Sequence, residues 1–222
     1  MKKALLTIML CTYISTIFAQ IKPQFWDDVQ IIKSYDKLYQ PPAHPIVFIG
    51  SSSIRKWDNL QEVFGRYIVM NRGIGGAVID DIAFYLNDMV FPYNPRQIVL
   101  YVGENDIVNE TVTADTILNK TKRLYQLIRA KMPAVPIIYI GMKPSPSREK
   151  YMPKAKAANS LIKTFLVAND KNTVFVDVFP LMLTDEGKLR PELYLNDKLH
   201  MKAEGYAVWA KAIEPYLLKN NK

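Results

Sequence analysis

The sequence has few of the residues that bind metals through nitrogen or sulfur. Its 222 residues include one cysteine, Cys11, and two histidines, His44 and His200. Cys11 lies in an N-terminal segment that we expect to be removed, so the mature chain has no cysteine. This excludes disulfides, thiolate metal sites and cysteine nucleophiles, and two histidines argue against a zinc hydrolase. We therefore predict that the protein needs neither a metal nor another cofactor.

A long apolar run begins close to the N-terminus. A short basic segment, MKK, is followed by about 16 uncharged residues, ALLTIMLCTYISTIFA. This arrangement is typical of a secretory signal peptide, with Ala19 as the last residue removed. The run is shorter than the roughly 20 residues that span a bilayer, which disfavours the alternative of a transmembrane anchor. Leu10 disfavours a lipoprotein signal at Cys11, because that position normally holds a small residue.

These features predict a signal peptide over residues 1–19 and a single domain over residues 20–222. The mature protein is expected to be exported to the periplasm or the medium, with no stable membrane insertion after cleavage.

The sequence also lacks any block of like charge. Its formal charge is +8, and removal of Lys2 and Lys3 with the signal peptide lowers it to +6. The remaining lysines are scattered along segments of helical spacing, such as Lys154, Lys156 and Lys163. Scattered lysines indicate a solvated surface, so we predict no nucleic-acid partner.

No internal repeat or low-complexity tract interrupts an alternation of apolar strands and amphipathic helices. Buried-type strands are predicted at 45–50, 67–71, 97–103, 136–141 and 173–178. Helices are predicted at 22–39, 78–90, 113–131, 150–167 and 202–218. Short apolar strands separated by helices indicate a parallel sheet covered on both faces. We therefore predict an α/β fold, with three α/β/α layers around a five-stranded parallel sheet.

In such sheets, ligands bind beyond the carboxyl ends of the strands, so we expect the functional residues in the loops that follow the strands. The segments in these loops, in chain order, are GSSS (50–53), NRGIGGA (71–77), GEND (103–106), GMKPSPSR (141–148) and NDKLH (196–200). Each segment alone has a simple structural explanation, such as a turn, a helix cap or an Asx turn. Their order and their common placement after strands favour a functional site.

The scarcity of histidine points to one residue of this site. A serine nucleophile needs a neutral imidazole to take its proton and a carboxylate to orient that imidazole. His200 has Asp197 three residues before it, whereas His44 precedes the first strand and is expected to be an ordinary loop residue. A developing oxyanion needs donors, which the Gly76 backbone and the Asn105 side chain are able to supply.

In the order and content of these segments, the chain resembles the SGNH hydrolase superfamily, the GDSL-type esterases and lipases. The resemblance runs from about Ile46 to Leu218, and GSSSIR with PSPSR is similar to bacterial relatives of the platelet-activating-factor acetylhydrolase catalytic subunits. It implies a flavodoxin-like SGNH fold and a carboxylic ester hydrolase with a Ser-His-Asp triad. The implied triad is Ser52, His200 and Asp197, and the implied oxyanion donors are the Ser52 backbone, Gly76 and Asn105.

One residue departs from the family pattern. Ser51 stands where the family usually has an aspartate that braces the nucleophile turn. That aspartate is not the triad acid, so the mechanism is expected to survive the change. A serine hydroxyl can still cap the turn or the helix that follows it.

The expected partner is a small-molecule ester, and no long apolar insertion or separate lid lies between the blocks. We expect short acyl groups, with acetyl esters of carbohydrates first and lysophospholipids or other lipid esters as the alternative. Four residues are expected to line the mouth of the site: Arg55, Trp57, Lys143 and Arg148. A catalytically inactive binding protein is a further alternative. A nucleotide-binding module is disfavoured because Val78 occupies the position of the third glycine of the dinucleotide fingerprint.

Overall fold

Five short strands form one parallel sheet in the computed structural model, which describes residues 22–219. The strands are β1 Ile46–Gly50, β2 Val69–Gly73, β3 Gln97–Tyr101, β4 Ile137–Ile140 and β5 Thr173–Val176. All neighbouring pairs are parallel, and the order across the sheet is β2-β1-β3-β4-β5. This is the flavodoxin-like order, so the predicted five-stranded parallel sheet is confirmed. The predicted signal peptide lies outside the described residues.

Eight α-helices lie along the described part of the chain. They are α1 Trp26–Leu38, α2 Ser52–Arg55, α3 Leu60–Val63, α4 Ile79–Phe84, α5 Leu86–Met89, α6 Ala114–Lys131, α7 Met152–Asn169 and α8 Ala203–Ile213. Between residues 22 and 219, no helix combines the length and apolar character needed to cross a bilayer.

Alternate strand residues face two separate hydrophobic cores. Val47 and Ile49 belong to the core beneath α1 and α4–α7, whereas Phe48 belongs to the core beneath α2, α3 and α8. Successive side chains of a strand point to opposite faces, and both faces here are covered by helices. This explains why β1 is buried at every position, and it confirms the three-layer arrangement.

Several of the predicted elements have different bounds in the structure. β2 begins and ends two residues later than its predicted range, because Asn71 and Arg72 pair with β1 although both are polar. The predicted helix 78–90 breaks at Tyr85, whose buried side chain donates a hydrogen bond to the Gln24 carbonyl at 2.6 Å. Hydropathy alone does not report strand pairing or a contact with a distant segment.

The predicted helix 202–218 also ends early. The α-helical part stops at Ile213, and a single 3₁₀ turn containing Pro215 follows it. Proline has no N–H to donate to the preceding turn, so the α-helical ladder does not continue through it.

The sheet changes direction of winding at β1. β2 lies on one side of β1 and β3 on the other, so the loops that follow β1 and β3 lead away from a topological switch point. Gly50 ends β1 with φ +154°, and a Cβ built there would lie 1.9 Å from the Tyr101 carbonyl oxygen. Only glycine allows β1 and β3 to approach this closely before the next loop begins.

A buried ion pair lies just beyond the ends of β3 and β4. The Lys143 Nζ donates to both carboxylate oxygens of Glu104, at 2.8 and 2.6 Å, and both side chains are almost fully buried. The Tyr101 hydroxyl donates to the same carboxylate at 2.7 Å, and so does the Ser145 hydroxyl. The pair therefore joins two neighbouring strand ends inside the protein.

We predict that Gly50→Ala destabilises the protein by about 3 kcal/mol, because a methyl group there overlaps the Tyr101 carbonyl. Gly187→Ala is the matched control. Gly187 has φ +77°, and apart from its own atoms and those of its two chain neighbours, no atom of the described residues lies within 4 Å of its built Cβ. Gly187→Ala should therefore lower the free energy of unfolding only by the strain of a left-handed backbone, about 1–2 kcal/mol. Urea denaturation measures both, and equal losses would contradict the proposed steric role of Gly50.

We predict that Lys143→Met destabilises the protein by about 3–5 kcal/mol, because it leaves the Glu104 charge buried without its cation. Adding Glu104→Gln to that variant should restore much of the loss, since the unpaired charge is then gone. The control is Lys150→Met, which breaks the exposed Lys150–Glu110 pair and should leave the unfolding midpoint nearly unchanged, because exposed ion pairs contribute little to stability. An unchanged unfolding midpoint for Lys143→Met would refute the prediction.

Candidate active site

A histidine links a serine and an aspartate at the carboxyl edge of the sheet. The His200 Nε2 lies 3.0 Å from the Ser52 Oγ, and its Nδ1 lies 2.6 Å from the Asp197 Oδ2. Both ring nitrogens are thus within hydrogen-bond distance of a partner. In the tautomer that carries its proton on Nδ1, the ring donates to Asp197 and accepts the Ser52 hydroxyl. This arrangement is able to remove a proton from Ser52.

The turn that holds Asp197 also positions His200. The Asp197 Oδ1 accepts the backbone N–H groups of Leu199 at 3.0 Å and His200 at 2.9 Å. Lys198, between Asp197 and Leu199, has the left-handed φ of +56° that closes the turn. Burial alone would raise the pKa of Asp197, but its hydrogen bonds from His200 and Leu199 hold that pKa well below the usual value. Asp197 is therefore a carboxylate at neutral pH.

Ser52 is the first residue of α2, immediately after the turn that follows β1. Backbone and distant side chains hold this turn. The Ser51 N–H donates to the Tyr101 carbonyl at 3.0 Å, the Tyr206 hydroxyl to the Ser53 carbonyl at 2.9 Å, and the Asn71 amide to the Ile54 carbonyl at 2.6 Å. Each bond ties the turn to a different element: β3, α8 or β2. The Ser52 position is thus determined from three directions.

The three serines differ in their exposure. Ser51 and Ser53 are 2% and 1% exposed, whereas Ser52 is partly accessible to solvent. Among residues 22–219, the Ser51 side chain makes no capping hydrogen bond to α2, so of the two roles expected for its hydroxyl, capping the turn or capping the helix, the second is not observed. The backbone bond from Ser51 to β3 and the contacts of Tyr206 and Asn71 support the turn instead.

Two of the three candidate oxyanion donors, Gly76 and Asn105, belong to loops that are hydrogen-bonded to each other. Gly76 lies in an exposed turn with φ +84°. The Asn105 Nδ2 donates to the Ala77 carbonyl at 2.9 Å, next to Gly76 in the chain. The Asn105 Oδ1 in turn accepts a hydrogen bond from the Arg148 Nη2 at 2.8 Å. The side-chain amide of Asn105 is therefore held at both ends.

Asp106 anchors the same loop from the inside. Its buried carboxylate accepts the Ile79 N–H at 3.1 Å, at the start of α4, and the Lys120 Nζ at 3.2 Å, from α6. Burial raises the pKa of Asp106, although the bonds from Ile79 and Lys120 oppose this rise. The loop after β3 is thus fastened to the helix that follows the Gly76 turn.

Glu104 lies directly before Asn105, and its charge is stabilised by cations. Burial alone would raise the pKa of Glu104, but the nearby charges of Lys143 and Arg148 lower it below its usual value. The ionised carboxylate then accepts the hydrogen bonds of Lys143, Tyr101 and Ser145. The sequence signal for this pairing is that an acidic and a basic residue each follow one of two adjacent strands.

Two of the four residues expected at the mouth of the site are buried, and that expectation is wrong for them. Trp57 is 1% exposed and stacks on Tyr206 with ring centroids 4.9 Å apart. The Lys143 side chain has no exposed area. Trp57 is buried by apolar packing, and Lys143 is buried in an ion pair with Glu104.

The other two expected mouth residues lie beside the site. The Arg55 side chain is about half exposed, lies across Gly75, and approaches Asp28 at 3.6 Å. Arg148 is part-buried and contacts Asn105. Their roles toward substrate stay predictions.

His44 lies at the opposite edge of the sheet, where its Nδ1 is 3.1 Å from the Asn94 carbonyl oxygen. Among residues 22–219, no group of three or more His, Cys, Asp and Glu side chains is placed to hold a metal ion.

Comparison with known proteins identifies the family. The GDSL-like lipase/acylhydrolase family matches residues 49–208. Among individual proteins, the alpha1 subunit of human platelet-activating factor acetylhydrolase IB is 26% identical over 184 residues, covering 78% of this chain and 75% of the relative. The rat alpha2 subunit is 27% identical over 183 residues, covering 78% of this chain and 76% of the relative.

Solved structures show the same fold. A GDSL-like lipase from Bacteroides thetaiotaomicron superposes with a TM-score of 0.71 at 21% identity, covering 85% of this chain and 96% of that one. An acetylxylan esterase from Geobacillus stearothermophilus superposes with a TM-score of 0.63 at 15% identity, covering 78% and 94%. Because the family match spans most of the chain, including the loops that carry Ser52 and His200, the protein belongs to the GDSL-like lipase/acylhydrolase family and is a carboxylic ester hydrolase.

Proposed function

We propose that this protein is an exported serine esterase that hydrolyses short acyl esters through Ser52, His200 and Asp197. One observation carries the proposal: the His200 ring lies 3.0 Å from the Ser52 hydroxyl and 2.6 Å from the Asp197 carboxylate. This places a base next to a nucleophile and an orienting carboxylate next to the base. The basic, apolar N-terminal segment supports export.

In the first half of the reaction, the Ser52 Oγ attacks the ester carbonyl carbon and its proton passes to the His200 Nε2. The imidazolium that forms is stabilised by Asp197, whose lowered pKa keeps it ionised. The tetrahedral intermediate then collapses, and His200 returns the proton to the departing alcohol. The acyl group remains on Ser52.

The negative charge on the carbonyl oxygen needs donors as the intermediate forms. We assign this role to the backbone N–H groups of Ser52 and Gly76 and to the Asn105 side chain. The Asn105 Nδ2 uses one hydrogen on the Ala77 carbonyl, and its second hydrogen is the one assigned to the oxyanion. The hydrogen bond from Asn105 to Ala77 keeps the Gly76 N–H and the Asn105 amide at a constant separation.

In the second half, a water molecule attacks the acyl-enzyme while His200 accepts its proton. The tetrahedral intermediate releases the carboxylic acid, and His200 returns a proton to the Ser52 oxygen. The cycle uses the same oxyanion donors twice and restores the free enzyme.

We propose acetyl as the acyl group. A Cβ built on Gly103, just before Glu104 and Asn105, would lie 3.2 Å from the Met142 sulfur and 3.7 Å from the Ile79 Cδ1. Both of these side chains are fully buried, so the region beneath the Asn105 loop is densely packed. The names of the related acetylhydrolase subunits and of the acetylxylan esterase both refer to acetyl groups, which supports this proposal.

We propose that the alcohol component of the ester substrate is a carbohydrate, because acetylated carbohydrates are natural substrates for an exported esterase. The name of the curated relatives supports the second candidate, an acetylated lipid.

A fluorophosphonate probe tests the nucleophile. We expect mass spectrometry to find the label on Ser52, and Ser52→Ala to lose labelling and on the order of 10⁶-fold in kcat toward p-nitrophenyl acetate. Ser53→Ala is the matched control and should keep both, because the Ser53 side chain is buried. A label on Ser53 would show that Ser52 is not the nucleophile. A folded protein without any label would indicate an inactive binding protein.

A series of p-nitrophenyl esters tests acyl length. We expect kcat/KM to be highest for acetate and to fall by about tenfold or more at octanoate, because a longer chain would meet the packed side chains beneath the Asn105 loop. Acetylated xylo-oligosaccharide and an acetylated lysophospholipid, measured side by side, then separate the two alcohol candidates. Faster hydrolysis of octanoate would refute the acetylesterase proposal, and faster hydrolysis of the lipid would favour the second candidate.

A further inference from the structure

The side chain of Asn105 poses a specific problem of orientation. A carboxamide has an NH₂ group at one end and an oxygen at the other, and rotation by 180° exchanges them. Only the orientation that turns the NH₂ group toward the substrate allows Asn105 to stabilise an oxyanion. A donor that rotates freely would lose part of its benefit, since electrostatic stabilisation depends on dipoles held in place beforehand.

Arg148 and Ala77 together specify this orientation. The Asn105 Nδ2 donates to the Ala77 carbonyl at 2.9 Å, and the Asn105 Oδ1 accepts from the Arg148 Nη2 at 2.8 Å. A rotated amide would place its oxygen against the Ala77 carbonyl oxygen and its NH₂ group against the guanidinium. Both contacts would then be repulsive, because neither pair includes both a donor and an acceptor.

Arg148 is itself held by the loop that it orients. Its Nη1 donates to the Glu104 carbonyl, next to the Nη2 contact with Asn105. The rigid guanidinium thus spans two consecutive residues, which an ammonium group does not match. Below this contact, the Glu104 carboxylate is bound by Lys143 and Tyr101. The peptide that carries Asn105 is therefore fixed both by Arg148 and by the buried ion pair.

The segment that carries Arg148 also contacts the histidine loop. The Ser147 N–H donates to the Lys198 carbonyl at 3.0 Å, and Lys198 lies between Asp197 and His200. The Arg148 N–H donates to the Ser145 carbonyl at 2.9 Å. One short segment thus links the loop of the oxyanion donor to the loop of the general base.

We infer that Arg148 is a positioning residue, which orients the Asn105 amide as an oxyanion donor and polarises it with its positive charge. This inference rests on the proposed function, in which Asn105 donates to the oxyanion. Because the negative charge develops only in the transition state, the effect belongs mainly to kcat and only slightly to KM.

The test compares Arg148→Ala and Arg148→Lys with the parent enzyme on p-nitrophenyl acetate. We expect Arg148→Ala to lower kcat by about 10- to 100-fold, less than the roughly 10²–10³-fold for loss of a donor itself, with KM nearly unchanged. Arg148→Lys should recover little, because an ammonium cannot bridge Glu104 and Asn105. Millimolar guanidinium should partly rescue Arg148→Ala, whereas methylammonium should not. Arg123→Ala, which removes an exposed arginine on α6, is the matched control and should keep the parent kcat.

A double-mutant cycle with Asn105→Ala tests whether Arg148 acts through Asn105. The double variant should be no slower than Asn105→Ala alone, because the positioned group is already absent. Multiplicative losses would overturn the inference, because they show that Arg148 acts independently of Asn105. A loss confined to KM would also overturn it and indicate that Arg148 binds substrate directly. A fully active Arg148→Ala enzyme, alongside an inactive Ser52→Ala enzyme, would overturn it while the proposed function stands. A parent protein with neither turnover nor Ser52 labelling would refute both.

Discussion

The parallel pairing of β1 with β3 is the constraint on which the rest of the site depends. Gly50 lets the two strands approach so closely that a Cβ would meet the Tyr101 carbonyl, and that carbonyl then accepts the Ser51 N–H. The nucleophile turn therefore begins beside the strand whose loop carries Glu104 and Asn105. Because this is also the switch point of the sheet, the loops after β1 and β3 diverge and leave room for a ligand between them.

Burying the charge of Glu104 next to the candidate active site has an unfavourable desolvation free energy. A paired charge in the interior contributes little net stability, and its removal in favour of apolar residues is often tolerated. Here the Glu104–Lys143 pair joins the ends of β3 and β4 and lies directly beneath Asn105. Its position indicates that rigidity of this loop, more than overall stability, explains the presence of the pair.

Much of the fold was predictable from the sequence, because burial on both faces makes each strand a continuous apolar run. The edges of elements were less predictable, as the polar end of β2 and the break at Tyr85 show. The loop residues Ser52, Asn105 and His200 were recognisable because each follows a strand or precedes the last helix in a known order. The burial of Trp57 was not predictable, because chain position does not reveal that its ring packs on Tyr206.

The family, the layer architecture and the segments that meet at the carboxyl edge of the sheet can be inferred from the sequence alone, since hydrophobic periodicity and ordered motifs are visible in it. Which side chains line the candidate site, and which support those that do, follows only from the folded structure. Lys143 and Arg148 are both basic residues of one loop, yet one is buried against Glu104 and the other bonds to Asn105. The physical reason is that the partners of a charge come from distant segments, and folding alone brings them within hydrogen-bond distance.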